Sequence, residues 1–167
     1  MRAFRLVSSV TVAASMLLGA APAHARWGQV YRPDAIVRAG GDEAGRDHYS
    51  AHGAGQVLSR RVTVGERQVF RLTFIAKSTL SERLRVSGCA GHDGFGVVYR
   101  RTSGRDVTAA VTGAGLVSRR LIVGDRVRLR LAVRVTAHHA TDVFTCEIAS
   151  ANPTRVDAVV AAVRAVS

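Results

Sequence analysis

The feature that most constrains the fold is a strict alternation between two kinds of residue over 126–136. One parity is apolar and comprises Val127, Leu129, Leu131, Val133 and Val135. The other is mainly basic and carries Arg126, Arg128, Arg130 and Arg134. Successive side chains of a β-strand point to opposite faces, so this pattern predicts a half-buried strand with its arginines in solvent. These arginines form a candidate face for an anionic ligand; the alternative is an ordinary solvated face.

Shorter alternating runs recur along the chain and predict further strands. Their apolar positions are Phe70, Leu72, Phe74, Leu84, Val86, Phe144, Cys146 and Ile148. Segment 156–166 is ambiguous, because its alanines allow a helix while its β-branched valines favour a strand. A strand is the preferred interpretation, since Asn152-Pro153 supplies a turn just before it. Several short strands, glycine-containing turns and few helical stretches together predict an all-β fold, an antiparallel β-sandwich.

Two segments of the chain resemble each other. Residues 53–72 and 113–131 each contain Ser-Arg-Arg, then Val-Gly-Glu or Val-Gly-Asp, then an alternating strand. We interpret them as two equivalent hairpins in the two halves of one sandwich. Accidental similarity in a composition rich in arginine, valine and glycine is the alternative.

The first 25 residues have the pattern of a secretory signal peptide. Arg2 and Arg5 precede an apolar run over 6–21, and Ala23-His24-Ala25 is a small-x-small cleavage site. We therefore predict cleavage after Ala25, a short leader over 26–33, and one β-sandwich domain over 34–167. A membrane anchor is the alternative, but the run is shorter than the ~20 apolar residues that a span needs. The mature chain is expected to be extracytoplasmic, secreted or periplasmic, and without a membrane span.

The chain has two cysteines, Cys89 and Cys146. An even count in an oxidising compartment predicts one disulfide between them. The alternative is two separate free thiols.

The charge of the chain is strongly basic, with 24 Lys and Arg against 12 Asp and Glu. A basic surface attracts nucleic acid, anionic lipid or acidic polysaccharide. Single-stranded nucleic acid is usually bound by aromatic side chains that stack on bases. Aromatic residues make up only 5% of this chain, so we expect no specific nucleic-acid recognition.

The order of several short motifs resembles the immunoglobulin-like modules of secreted bacterial proteins, similar to cell-adhesion-related bacterial domains. The motifs are residues 33–38, 45–49, 53–56, 95–99, 106–108 and 157–159. The resemblance implies an immunoglobulin-like β-sandwich that serves as a spacer or adhesive unit, and it supplies no catalytic residues. The chain departs from the pattern at Arg46, which separates Gly45 from Asp47, and at Phe95, where tryptophan is more usual.

No motif of an enzyme or a metal site is present. The sequence lacks Gly-x-Ser-x-Gly, His-Glu-x-x-His and a phosphate-binding Gly-x-x-x-x-Gly-Lys. On a helix, the spacing of His48 and His52 would suit a metal site, but they fall in a predicted glycine-bounded loop. Asp42, Glu43 and Asp47 could bind calcium through their carboxylate oxygens, but they form no EF-hand loop. We expect no metal, no cofactor and no catalytic residue.

These observations predict a secreted non-enzymatic protein with an extracytoplasmic binding, adhesive or structural role. Its expected partner is a cell-surface protein or an acidic polysaccharide. The first alternative is an arginine-rich binder of acidic cell-surface polymer, and the second is an enzyme whose site the sequence does not reveal.

Overall fold

The computed structural model describes residues 33–92, 94–137, 143–152 and 155–166. The predicted signal peptide, its cleavage site after Ala25 and nearly all of the leader over 26–33 lie outside these residues. The described chain forms ten strands and one short helix. They are β1 (Asp34–Ala39), β2 (Asp42–Ala44), β3 (Val57–Thr63), β4 (Arg67–Ile75), β5 (Arg85–Ser87), β6 (Phe95–Arg101), α1 (Thr108–Thr112), β7 (Leu116–Val117), β8 (Arg126–Val135), β9 (Val143–Asn152) and β10 (Arg155–Val166).

The strands form two five-stranded sheets. The first sheet has the order β2-β1-β4-β8-β6, and the second has the order β3-β10-β9-β5-β7. Every named pairing is antiparallel except β3 with β10, which is parallel. The predicted all-β sandwich is confirmed, with this parallel pair as the departure from a purely antiparallel design.

The core lies between the inner faces of the two sheets. The apolar parities predicted from the sequence supply it from β4, β8 and β9. These buried residues include Phe70, Leu72, Phe74, Leu129, Leu131, Val133, Val135, Phe144, Cys146 and Ile148. Alternation places every second side chain of these strands in the core, which leaves the outer parity in solvent.

The last strand, β10, settles the ambiguity of 156–166 in favour of a strand. It carries a buried carboxylate, Asp157, that accepts hydrogen bonds from the backbone N–H of Ala35 at 2.7 Å and of Ser50 at 2.9 Å, and from Gln56 Nε2 at 3.1 Å. The beginnings of β10 and β1 are therefore joined. Nine residues further on, about 30 Å away, Val166 lies opposite Thr63 at the end of β3.

The interpretation of the two similar segments as hairpins is wrong. In each, the first strand belongs to the second sheet and the next strand to the first sheet, so both segments cross between the layers. Their turns nevertheless match: Gly65 has a φ of 87° and Gly124 a φ of 86°. A turn with φ > 0 at its third residue favours glycine, which both copies of the motif supply. Similar sequence thus gives similar turns, whereas long-range pairing decides which sheet a strand joins.

The two crossing turns are related by local two-fold pseudo-symmetry. The Gly65 N–H donates to the Val135 carbonyl at the end of β8, at 2.8 Å. The Gly124 N–H donates to the Ala76 carbonyl just after β4, also at 2.8 Å. Each turn is therefore fastened to the far end of the other segment's strand. This arrangement places β4 and β8 side by side in the middle of the first sheet.

The structure contains the predicted disulfide between Cys89 and Cys146, with Cα atoms 5.5 Å apart. Cys146 is buried on β9, and Cys89 follows β5. The bridge joins a loop to the second sheet across a sequence separation of 57 residues. Within the described ranges, no helix is long and apolar enough to cross a membrane.

Candidate anion-binding face

The outer surface of the first sheet carries the arginines predicted from the alternation. Arg126, Arg128, Arg130 and Arg134 are exposed on β8, and their apolar neighbours are buried or half-buried. The sequence alone does not say which strands flank β8. In the structure these are β4 on one side and β6 on the other.

The register brings further arginines opposite those of β8. Arg71 on β4 faces Arg130, and Arg130 also faces Arg100 on β6. On its other side, Arg71 faces Arg38 on β1. Four arginines on four adjacent strands thus form one line across the sheet, Arg38–Arg71–Arg130–Arg100, which we call the arginine row.

Carboxylates lie at the two ends of the arginine row. Glu43 on β2 forms an ion pair with Arg38, and Asp106 forms a β-bridge with Arg100. Hydrogen bonds from Arg46 and Arg38 lower the pKa of Glu43. Hydrogen bonds from Thr108 lower the pKa of Asp106. In the described part of the chain, no carboxylate lies within 4.0 Å of the guanidinium of Arg71 or Arg130, so the middle of the row has no ion-pair partner.

A groove runs beside the arginine row across β4, β8 and β6. Its floor is apolar: Ala132 lies opposite Val69 on one side and Val98 on the other. Arg130 and Arg100 line one wall, while Arg134 and the opposed Arg67 line the other. Gly65, Glu66, Gly96 and Val97 complete the lining of this groove, whose volume is about 1030 Å³.

The structure divides the four predicted arginines into two pairs. Arg130 and Arg134 line the groove. Arg126 and Arg128 lie further along β8 and line a separate depression of about 440 Å³. The groove residues that the sequence analysis did not single out are Arg67 and Arg100, together with the apolar floor. Only the strand order, which is a long-range property, brings them together.

The two central residues of the arginine row are related by the pseudo-symmetry of the two crossing segments. Arg71 stands six residues after Gly65, and Arg130 stands six residues after Gly124. The two are equivalent positions of the repeated motif, and they face each other directly. The repeated sequence thus generates a pair of like charges at the middle of the sheet.

The acidic residues considered as a cation site are instead paired with basic side chains. Asp42 accepts a hydrogen bond from Arg60 at 2.5 Å, and Asp47 accepts one from Lys77 at 3.0 Å. Arg46 Nε donates to Glu43 at 2.6 Å. His52 lies 3.8 Å from Glu147. Among the residues that the structure describes, no group of three or more His, Cys, Asp or Glu side chains could hold a metal ion.

Asp34 is a buried carboxylate at the start of β1. It accepts a hydrogen bond from the Asp47 N–H at 3.0 Å, and Lys77 Nζ lies 3.5 Å from its Oδ2. Burial raises the pKa of Asp34, and these contacts offset part of that effect. Lys77 is the single lysine of the sequence, and it joins Asp34 to Asp47.

Comparison with known proteins gives no family. No family model matches the sequence, and no curated protein matches it. Among solved structures, 34 chains match. One of them is a family 123 glycoside hydrolase from Clostridium perfringens, described in connection with glycolipid glycan hydrolysis. The match has a TM-score of 0.41 and 5% sequence identity; it covers 67% of this chain and 23% of the hydrolase.

Proposed function

We propose that this protein is a non-enzymatic, extracytoplasmic binding module that holds an acidic polysaccharide in the groove of its first sheet. The observation that carries the proposal is the pair of arginine-bearing walls on either side of an apolar floor. Arg130 and Arg100 form one wall, and Arg67 and Arg134 form the other. An acidic polysaccharide offers both kinds of complementary surface, since its carboxylates accept from guanidinium groups while its sugar rings present apolar faces.

The opposed arginines favour a ligand-binding role, because their mutual repulsion lowers the stability of the free protein. Like charges directly opposite each other in a sheet are destabilising. An anionic ligand removes that repulsion when it binds, so the arrangement favours the bound state. A merely solvated face gains nothing from placing four arginines in one line.

The geometry predicts that the polymer runs across the strands. Neighbouring strands are about 4.8 Å apart, so cross-strand neighbours stand closer together than the roughly 6.7 Å between alternate residues of one strand. The floor residues Val69, Ala132 and Val98 follow the same direction. A chain lying on this floor has a basic wall on each side.

The composition of the groove favours binding over catalysis. Among the described residues that line the groove, Glu66 is the single carboxylate, whereas hydrolysis of a glycoside usually needs two carboxyl groups. The lining residues that the structure describes include no aromatic side chain on which a nucleobase could stack. An enzyme acting on a polymer in this groove is therefore the less favoured hypothesis.

An extracytoplasmic location is part of the same proposal. The signal-peptide pattern of residues 1–25 supports it, and a disulfide between the two cysteines is compatible with it. We also propose the relationship to immunoglobulin-like bacterial modules, for which the two-layered β-architecture is a necessary but unspecific support. An adhesive or structural role that does not use the groove is the competing hypothesis.

The test compares two double variants that remove the same charge from the same strand. Arg130→Gln/Arg134→Gln changes the groove, while Arg126→Gln/Arg128→Gln changes β8 outside it. Binding to polygalacturonate, with uncharged dextran as the control polymer, is measured at 0.15 and 0.5 M NaCl. Hydrogen bonds to charged groups contribute about 1.5–3 kcal/mol each when well formed, so we expect the groove variant to lose at least ~10-fold in affinity. The matched variant should lose less than ~3-fold, because salt screens exposed charges outside the contact.

Two results would contradict the proposal. Equal losses in both variants would show that net charge alone attracts the polymer. Undiminished binding in both would leave the arginines as a solvated face. A third variant, Ala132→Glu, places a carboxylate on the floor of the groove and should abolish binding. Ala132 is only half-buried, so the substitution should leave the adjacent core residues of β8 undisturbed.

A further inference from the structure

Three of the most exposed large apolar side chains in the described residues lie in one small region. Leu80 and Ile122 are each 64% exposed, and Val123 is 58% exposed. Isolated exposed apolar residues are common on soluble proteins, but a group of them on neighbouring segments is less so. This group lies outside the groove. Ile122 and Val123 belong to the crossing turn at Gly124, whereas the groove is lined by Gly65 and Glu66 of the other crossing turn.

Backbone hydrogen bonds hold the two segments that carry these side chains together. Glu82 and Leu121 exchange hydrogen bonds at 2.9 and 2.8 Å. Ala76 bonds to both Gly124 and Asp125, at 2.8 and 2.9 Å. Residues 76–82 and 121–125 are thus joined at both ends and form one unit, which we call the apolar tip.

The surroundings of the apolar tip are basic. Its four exposed neighbouring arginines are Arg83, Arg119, Arg120 and Arg126. The nearby carboxylates are engaged within the protein. Asp125 Oδ2 accepts from the Ile122 N–H at 3.2 Å and lies 3.8 Å from Arg119, and Glu82 Oε2 accepts from Asn152 Nδ2 at 2.8 Å. The tip therefore combines three apolar side chains with a rim of excess positive charge.

We propose that the apolar tip docks this protein on an anionic lipid surface. Apolar side chains enter the boundary between headgroups and acyl chains, while arginines beside them pair with anionic headgroups. Three side chains are too few for a stable protein interface, which buries about 800 Å² on each partner. A bilayer is deformable and needs no complementary pocket, so it suits a tip of this size.

The experiment measures co-sedimentation of the chain from Arg26 onward, which includes every described strand, with phosphatidylglycerol vesicles at 0.15 M NaCl. Phosphatidylcholine vesicles serve as the neutral comparison. Ile122→Ser/Val123→Ser removes apolar surface from the tip at constant charge. Val57→Ser/Val143→Ser is the matched control, because those valines are 52% and 42% exposed on strands away from the tip.

We expect the tip variant to bind phosphatidylglycerol vesicles at least ~10-fold more weakly than the parent, and the control variant to bind as the parent does. Leu80→Ser, on the other segment of the tip, should weaken binding in the same direction. Equal binding by parent, tip variant and control would overturn the proposal, since the arginines alone would then account for it. Failure of the parent to bind these vesicles would overturn it as well.

One further outcome would assign the tip to another occupant and reject the lipid. A parent dimer that dissociates in the tip variant, without vesicle binding, would make a second copy of the chain the partner. Light scattering of the same samples distinguishes this outcome from the proposal.

Discussion

Replacement of Arg130 by glutamine should stabilise the protein while it weakens polymer binding. Arg130 stands between two opposed arginines, Arg71 and Arg100, and has no carboxylate partner within the described chain. Glutamine keeps much of the aliphatic stem and removes the charge. The perturbation therefore isolates the repulsion within the arginine row.

The size of the effect follows from the two opposed pairs. A cross-strand pair contributes about 0.2–1 kcal/mol, and like charges oppose folding by a similar amount. Because all three side chains are solvent-exposed, screening reduces the sum, and we expect a gain of about 1 kcal/mol at 10 mM salt. For a domain of this size, such a gain raises the unfolding midpoint by roughly 3–5 °C.

The assay is thermal or urea unfolding at 10 mM and at 1 M NaCl. The gain should disappear at 1 M salt, where the screening length is only about 3 Å. Arg128→Gln is the control, because Arg128 faces Thr73 instead of an arginine. If Arg130→Gln destabilises the protein equally at both salt concentrations, packing of the arginine stem outweighs repulsion and the reasoning about the row is refuted.

Two further predictions concern stability. Replacing both cysteines of the Cys89–Cys146 bridge by serine should cost about 4 kcal/mol in the chain-entropy model, since the closed loop spans 57 residues; urea unfolding measures this, and a loss below about 1 kcal/mol would contradict it. Burial raises the pKa of Asp34 above its ordinary 3.8, so the native state binds this proton more tightly than the unfolded chain does. Its contribution to stability is present below pH 3.8 and is lost as the pH rises through the raised folded-state pKa. Asp34→Asn should therefore gain stability relative to the parent as the pH rises from about 4 to 7, and a constant difference across that range would count against the assignment.

The sequence predicts the layers of this fold well and their connections poorly. Period-2 alternation identifies β4, β8 and β9, because burial of one parity is a local property that each strand displays. The strand interpretation of β10 rests instead on its β-branched valines and on the Asn152-Pro153 turn before it, since both faces of the strand are buried. The hairpin interpretation of the two crossing segments is wrong, because a four-residue glycine turn has the same sequence whether it joins neighbours in one sheet or links two sheets.

For the candidate site too, the sequence predicts the exposure of single residues but not their grouping. Arg130 and Arg134 could be predicted to face solvent, since their parity on β8 is opposite to that of Leu129 and Leu131. That Arg100 stands beside Arg130, and Arg67 beside Arg134, depends on strands that are distant in sequence and on their register. The groove is built from outward-facing residues of three strands, so no single strand carries a sequence pattern that predicts it.

The course of β10 has a mechanical consequence. β1 begins beside Asp157, near the start of β10, whereas Val166 lies about 30 Å away at the opposite end of the sandwich. A pulling force applied at Asp34 and Val166 therefore acts along the strands. It loads the ladders of β1 with β4 and of β10 with β3 and β9 in shear, so many hydrogen bonds share the load at once instead of opening one after another. A domain loaded in this way resists mechanical tension applied along its strands.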